Sequence, residues 1–225
     1  MILDVYSSVG GVGRAAKSLG FDVVGIDVED YSDRYPGLFY QGDASNKQTL
    51  FDACAEFGYT VDDIDLVWFS PPCLAYTPLS NVNASRYDWD QTPKEKYPTI
   101  PDLNVHEIAE WFDYRGIPYI IENVARCDDL HDPIEINGHA FNMGIEVRHK
   151  FETSFECPNA VEKGETVMRQ GHTNKREKMA ALKEVPKDWT MGEINSAIPA
   201  PYVHYLFYYA GIVNTTPELK QEKLF

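Results

Sequence analysis

Three stretches of the chain carry side chains that could act together on an electron-poor ring. Cys73 lies in SPPCLAYTP (70–78), Glu122 in PYIIENVA (118–125), and a basic triplet, RHK, occupies 148–150. A thiolate is a strong nucleophile, and on carbon-6 of a pyrimidine it would leave an enamine-like carbon-5 able to accept a methyl cation. A carboxylic acid can share a proton with ring nitrogen 3, and a cationic side chain can hold the ring carbonyl oxygen as charge develops. A fourth stretch, GGVGRA (10–15), follows an apolar run and opens a helical one. Free backbone N–H groups at such a start favour a carboxylate or phosphate. The order Gly11-x-Gly13-x-x-Ala16 also fits a loose dinucleotide fingerprint. Asp27 and Asp43 stand at the ends of the next two apolar runs, placed for ribose hydroxyls and an adenine amino group. Each feature taken alone also reads blandly, as a rim thiol, a salt-bridged acid, a charged turn or a solvated strand end. Their combination is what points to chemistry.

The elements that must position these groups alternate in type. ILDVY (2–6), FDVVGID (21–27), LFYQGDA (38–44), DLVWFS (65–70) and PYIIENVA (118–125) read as strands. RAAKSLG (14–20), KQTLFDACAEFG (47–58) and LNVHEIAEWFDYRG (103–116) read as helices. Strand–helix alternation of this kind predicts an α/β fold with a mostly parallel sheet and helices on both faces. In such sheets ligands bind beyond the carboxyl ends of the strands. The glycine turn, Asp27, Asp43, Cys73 and Glu122 all fall at that edge. Two prolines remove two backbone donors, so Pro71 and Pro72 end the fourth strand and hold Cys73 at the rim. Residues 81–102 are polar and aperiodic and read as a long loop, a type that is usually functional. SAIPAPYVHYLFYYAGI (196–212) reads as an apolar helix packing back onto the core.

Composition narrows the class. The 225 residues suit one α/β domain, or one domain with a small appendage. No apolar run reaches membrane-span length, and the start lacks a basic-then-apolar signal pattern, so a cytoplasmic protein is expected. Four cysteines without a CxxC pair argue against a zinc site or a disulfide framework. The net charge of −15 disfavours nonspecific polyanion binding. Residues 146–190 depart from that balance, with nine basic and eight acidic side chains.

The chain resembles the DNA cytosine-5 methyltransferases, in particular their short phage-type members. DVYSSVGG (4–11) is similar to the family's cofactor turn, with Tyr6 at a usual phenylalanine and Ser8 at a usual glycine. SPPCLAYTP resembles the nucleophile motif, with Leu74 at a usual glutamine, and IENV (121–124) resembles the acidic motif. VRHKFE (147–152) is similar to the arginine-rich motif, and NSAIPAPY (195–202) to the closing cofactor motif. The five motifs lie in the family's order and span nearly the whole chain. The resemblance implies a Rossmann-like fold that binds S-adenosyl-L-methionine and methylates cytosine in DNA through a covalent Cys73 adduct. It makes Cys73 the nucleophile, Glu122 the partner of ring nitrogen 3, and Arg148 and Lys150 the two basic positions. Lys150 falls where the family has an arginine on the pyrimidine carbonyl. Asp4, Tyr6, Ser7, Gly10, Gly11, Gly13, Asp27, Asp43, Ser70, Pro71, Asn195 and Ser196 would border the cofactor. Pro72, Tyr76 and Asn123, with His172, Lys175 and Arg176 of the basic cluster GHTNKREK (171–178), would meet the substrate. The loop at 81–102 corresponds to the family's mobile catalytic loop.

The division expected is 1–156 as catalytic and cofactor-binding core, 157–190 as a minimal recognition segment, and 191–225 as a C-terminal segment packing back on the core. So short a recognition segment predicts relaxed sequence preference, help from a partner protein, or a smaller substrate such as a free cytosine nucleotide or an RNA. A silent S-adenosylmethionine-binding module is the alternative outside enzymes. An amino-methyltransferase would place an aromatic after the prolines and needs no thiol. A nicotinamide-dependent dehydrogenase would leave the later motifs unexplained.

Overall fold

A computed structural model describes residues 1–166, 176–216 and 219. Seven strands form one sheet: β1 (Ile2–Val5), β2 (Val23–Asp27), β3 (Leu38–Gln41), β4 (Leu66–Phe69), β5 (Tyr119–Val124), β6 (Ile134–Ile136) and β7 (His149–Thr153). Their order is β3-β2-β1-β4-β5-β7-β6. The first five strands run parallel, and β7 lies antiparallel between β5 and β6. Among the described residues eight α-helices accompany them: α1 (Gly11–Ser18), α2 (Lys47–Glu56), α3 (Pro78–Arg86), α4 (Pro93–Lys96), α5 (Val105–Asp113), α6 (Arg176–Lys183), α7 (Met191–Ser196) and α8 (Ala200–Tyr209).

The central strands are apolar throughout because both faces are covered. Successive side chains alternate between two cores. Ile2, Leu66, Trp68 and Ile120 join one core with α1 and α8, while Leu3, Val67, Phe69 and Ile121 join the other with α2 and α5. On α5, Val105, Ile108, Ala109 and Phe112 recur at helical spacing and are all buried. In α8, Tyr202, Val203, Leu206 and Phe207 bury against the first core, with Phe207 edge-on to Phe21 and Trp68.

Two elements depart from the sequence reading. Residues 81–102 are not one irregular loop, since α3 and α4 occupy much of the stretch. Pro78 starts α3, and Thr92 and Glu95 form a capping box on α4. Apolar periodicity cannot reveal α3, because Ser80 is its one buried residue. The stretch around RHK is a strand rather than a charged turn. β7 pairs Glu122 with Phe151, Asn123 with Lys150 and Val124 with His149.

Candidate active site

A cavity of about 550 Å³ lies along the carboxyl edge of β1, β4 and β5, with β7 beside them. Segment 189–198 supplies its opposite wall.

At the β1 end the backbone turns sharply. Tyr6 (φ 60°), Ser8 (φ 47°) and Gly10 (φ 83°) all adopt left-handed conformations. For Tyr6 and Ser8 this stores about 1–3 kcal/mol each, strain of a kind that concentrates at functional turns. Gly13 is needed for a packing reason. A Cβ there would lie 2.4 Å from the Tyr35 hydroxyl oxygen, which fills the gap. That hydroxyl donates to Asp4 Oδ2 at 2.9 Å, and Gly13 N–H donates to the same oxygen at 3.1 Å. Burial pushes the Asp4 carboxyl up to about 7, against the pull of these two hydrogen bonds. The hydroxyls of Tyr6 and Ser7 are buried in residues lining the cavity and have no hydrogen-bond partner among the described residues. Buried polar atoms without partners mark a place where a ligand can complete them.

Beside this turn, β4 ends at Phe69. Ser70 N–H donates to Val5 O, and Ser70 Oγ accepts from Trp68 Nε1 at 2.9 Å. Pro71 O accepts from Asn123 Nδ2 at 3.1 Å, so β5 fixes the path into Cys73. Cys73 and Glu122 both line the cavity. Glu122 is buried, and its Oε1 lies 2.6 Å from His149 Nδ1. The Cys73 thiol is pushed up to about 11, first by burial and then by the Glu122 charge. In the free chain it is therefore a thiol. Its dominant charged neighbour is an acid.

The structure separates the basic triplet. Side chains alternate along β7, so His149 shares a face with Phe151, while Lys150 points to the other. Lys150 Nζ donates to Cys127 O at 3.0 Å and is not among the cavity residues. Arg148 does line the cavity, half-exposed, with its guanidinium on Glu135 and Glu146. The basic residue beside Glu122 is thus His149, and Lys150, which the resemblance placed on the pyrimidine carbonyl, lies outside the cavity. The alternation of Val147, His149 and Phe151 against Arg148, Lys150 and Glu152 is the signal that finds it.

Gly10, Gly11, Ser70, Pro71, Pro72, Asn195 and Ser196 border the cavity, as do Asp4, Tyr6 and Ser7. Gly13 packs behind it. Asp27 lies outside it, both its oxygens accepting backbone N–H groups, from Ser8 at 2.9 Å and Glu29 at 3.1 Å. Its part is to hold the turn. Asp43 is exposed beyond β3 and accepts from Ser45. Tyr76 is buried: its hydroxyl donates to Asp129 at 2.7 Å and accepts from Ile100 N–H, anchoring the segment after α4. Asn123 is buried and positions the Pro71 turn. Arg176 is exposed at the start of α6, away from the cavity, and His172 and Lys175 lie outside the described residues.

Two residues at the site had no sequence signal. Trp189 lines the far wall, with the Arg14 guanidinium 5.8 Å from its ring centroid. Lys183 is fully buried and donates to Asn195 O at 2.9 Å and Ala197 O at 2.8 Å, tying α6 to the cavity wall. Burial brings its pKa down to about 7, and attraction to Glu122 opposes that fall.

No protein-family model matches the chain, and no curated protein matches it in sequence. Solved structures do match. The Entamoeba histolytica methyltransferase EhMeth aligns over 93% of this chain and 97% of its own, with a TM-score of 0.56 at 7% identity. The chain shares the fold of that protein. An Escherichia coli prophage-encoded protein, described as a candidate DNA modification methyltransferase, matches with a TM-score of 0.42 at 16% identity. That match covers 73% of this chain, which spans about half of the E. coli chain (52%). The mostly parallel seven-stranded sheet with helices on both faces is of the Rossmann-like type. No helix among the described residues is long and apolar enough to cross a membrane.

Proposed function

We propose that the chain is an S-adenosyl-L-methionine-dependent methyltransferase acting on carbon-5 of cytosine in DNA, with Cys73 as covalent nucleophile. The observation that carries this reading is that Cys73, Glu122 and the glycine turn open into one cavity. The partnerless hydroxyls of Tyr6 and Ser7 fit a polar cofactor there. Tyr6, Ser7, Gly10, Gly11, Ser70, Pro71, Asn195 and Ser196 would hold it. S-adenosylmethionine supplies an electrophilic methyl group when bound.

The chain's own residues account for activation of the ring. The Cys73 sulfur forms a bond to carbon-6 while Glu122 holds a proton at ring nitrogen 3, so the displaced electron pair rests on carbon-5. Once carbon-5 carries the methyl group, loss of its proton to solvent lets the sulfur leave and restores the aromatic ring. His149 sets the orientation of Glu122 through their hydrogen bond. Arg148, at the cavity margin, is the cation available to the ring carbonyl. Because Cys73 starts as a thiol, its proton passes to the neighbouring Glu122 carboxylate as the base enters, and this is the proton that Glu122 holds at ring nitrogen 3.

Bisulfite sequencing of DNA from cells expressing the wild type beside Cys73→Ala tests this. Methylated cytosines in the first and none in the second are expected. Methylation that survives Cys73→Ala would overturn the mechanism. Equal methylation of free dCMP and duplex DNA in a tritium-transfer assay would overturn the substrate.

A further inference from the structure

Away from the cavity, on the face of β7 opposite His149, two histidines and a buried carboxylate meet. His106 comes from α5, His131 from the segment after β5, and Glu152 from β7. We propose that these three side chains form a binding site for one divalent transition-metal ion of the zinc type.

Their donor atoms all lie within 4.8 Å of one another. His106 Nε2 is 3.0 Å from Glu152 Oε2, and His131 Nδ1 is 3.9 Å from Glu152 Oε1. Two ligand atoms held about 2.1 Å from one ion at a tetrahedral angle stand roughly 3.4 Å apart, within the span of these separations. Two imidazoles and a carboxylate make a donor set suited to zinc, with a fourth position left for water.

Glu152 is already oriented as a ligand. It is buried, its Oε1 accepts from the Tyr119 hydroxyl at 3.2 Å, and its Oε2 accepts from His131 N–H at 2.6 Å. Hydrogen bonds of this kind fix a ligating carboxylate and tune its affinity.

One side chain has to move. The two imidazoles stack with centroids 4.0 Å apart and planes 10° from parallel, so their in-plane lone pairs do not converge on one point. The His106 side chain is 17% exposed and held in place, whereas that of His131 is 68% exposed. His106 and Glu152 would take the ion first. Rotation of His131 about its side-chain torsions then brings its Nδ1 into the third position, and its exposure provides the entry path. The bound ion would join α5, β7 and the segment after β5. That segment carries Asp129, which holds the Tyr76 hydroxyl three residues beyond Cys73.

The test is a cobalt(II) titration of the tag-free full chain after chelator treatment, followed by visible d–d absorption. Saturation at one equivalent with bands of tetrahedral intensity, displaced by zinc, is expected. His131→Ala should weaken binding by more than about 100-fold, since loss of mere outer-sphere partners already weakens metal sites by 10–100-fold. That residue is exposed, so its variant keeps the fold, and Glu152→Gln supplies a second check. Absence of saturable bands in the wild type would overturn the proposal. So would His131→Ala and Glu152→Gln variants that bind cobalt as the wild type does. None of the three residues reaches the cavity, so this outcome is independent of the methyltransferase reading.

Discussion

The raised thiol of Cys73 makes a quantitative prediction about the free chain. Burial and the Glu122 charge move it from an ordinary 9.0 to about 11. At pH 8 about 0.1% is then thiolate, against about 9% for the unshifted group, a deficit of roughly 100-fold. A more basic thiolate is also more nucleophilic. With a Brønsted coefficient of about 0.45, a two-unit rise returns roughly eightfold. The net expectation is alkylation by iodoacetamide about tenfold slower than that of a small exposed thiol at the same pH, before any loss from limited access. The rate should climb with pH to about 11 without levelling near 9. Peptide mapping by mass spectrometry separates Cys73 from Cys54, Cys127 and Cys157, whose thiols burial also raises. Glu122→Gln removes one of the two main causes, so Cys73 in that variant should label several-fold faster at pH 8. A wild-type rate that equals the small thiol's, or that levels off near pH 8, would refute the argument. It would mean that a cation, not Glu122, dominates the field at the sulfur.

Two further outcomes follow from the geometry. His149→Ala leaves the buried Glu122 carboxyl without its hydrogen-bond partner, a loss of about 1.5–3 kcal/mol, read as a fall in chemical-denaturation stability. It should also abolish covalent trapping on 5-fluorocytosine DNA, whereas Lys150→Ala, which loses only the bond to Cys127 O, should still trap. The Asp4 carboxyl, raised in the folded chain to about 7 from 3.8, contributes stability that is fully present below about pH 4 and lost as pH rises through 7. Asp4→Asn should therefore flatten the fall in stability between those limits, by roughly 4 kcal/mol at most. Parallel pH profiles for the two proteins would reveal that Asp4 does not titrate there.

How much was legible in the sequence depended on the range of the interaction. The alternation of apolar runs with helical periodicity determined the parallel sheet and which strand ends face a ligand, because both follow from local pattern and chain connectivity. The glycine turn was legible for the same reason, since left-handed backbone and close approach are local demands. The strand-ending prolines placed Cys73 at the rim, and Glu122 stood out as an acid in an apolar strand. Contacts between distant segments were not legible. The antiparallel insertion of β7 beside β5 decides that His149, not Lys150, meets Glu122, because a pleated strand turns neighbouring side chains to opposite faces. Pairing of distant elements likewise gave Tyr35 its place against the glycines, made Tyr76 and Asn123 anchors, and drew the Asp27 oxygens into the turn. The buried ammonium of Lys183 and the meeting of His106, His131 and Glu152 have the same origin. Sequence spacing carries no record of them, since each joins separate elements through packing that only the assembled fold enforces.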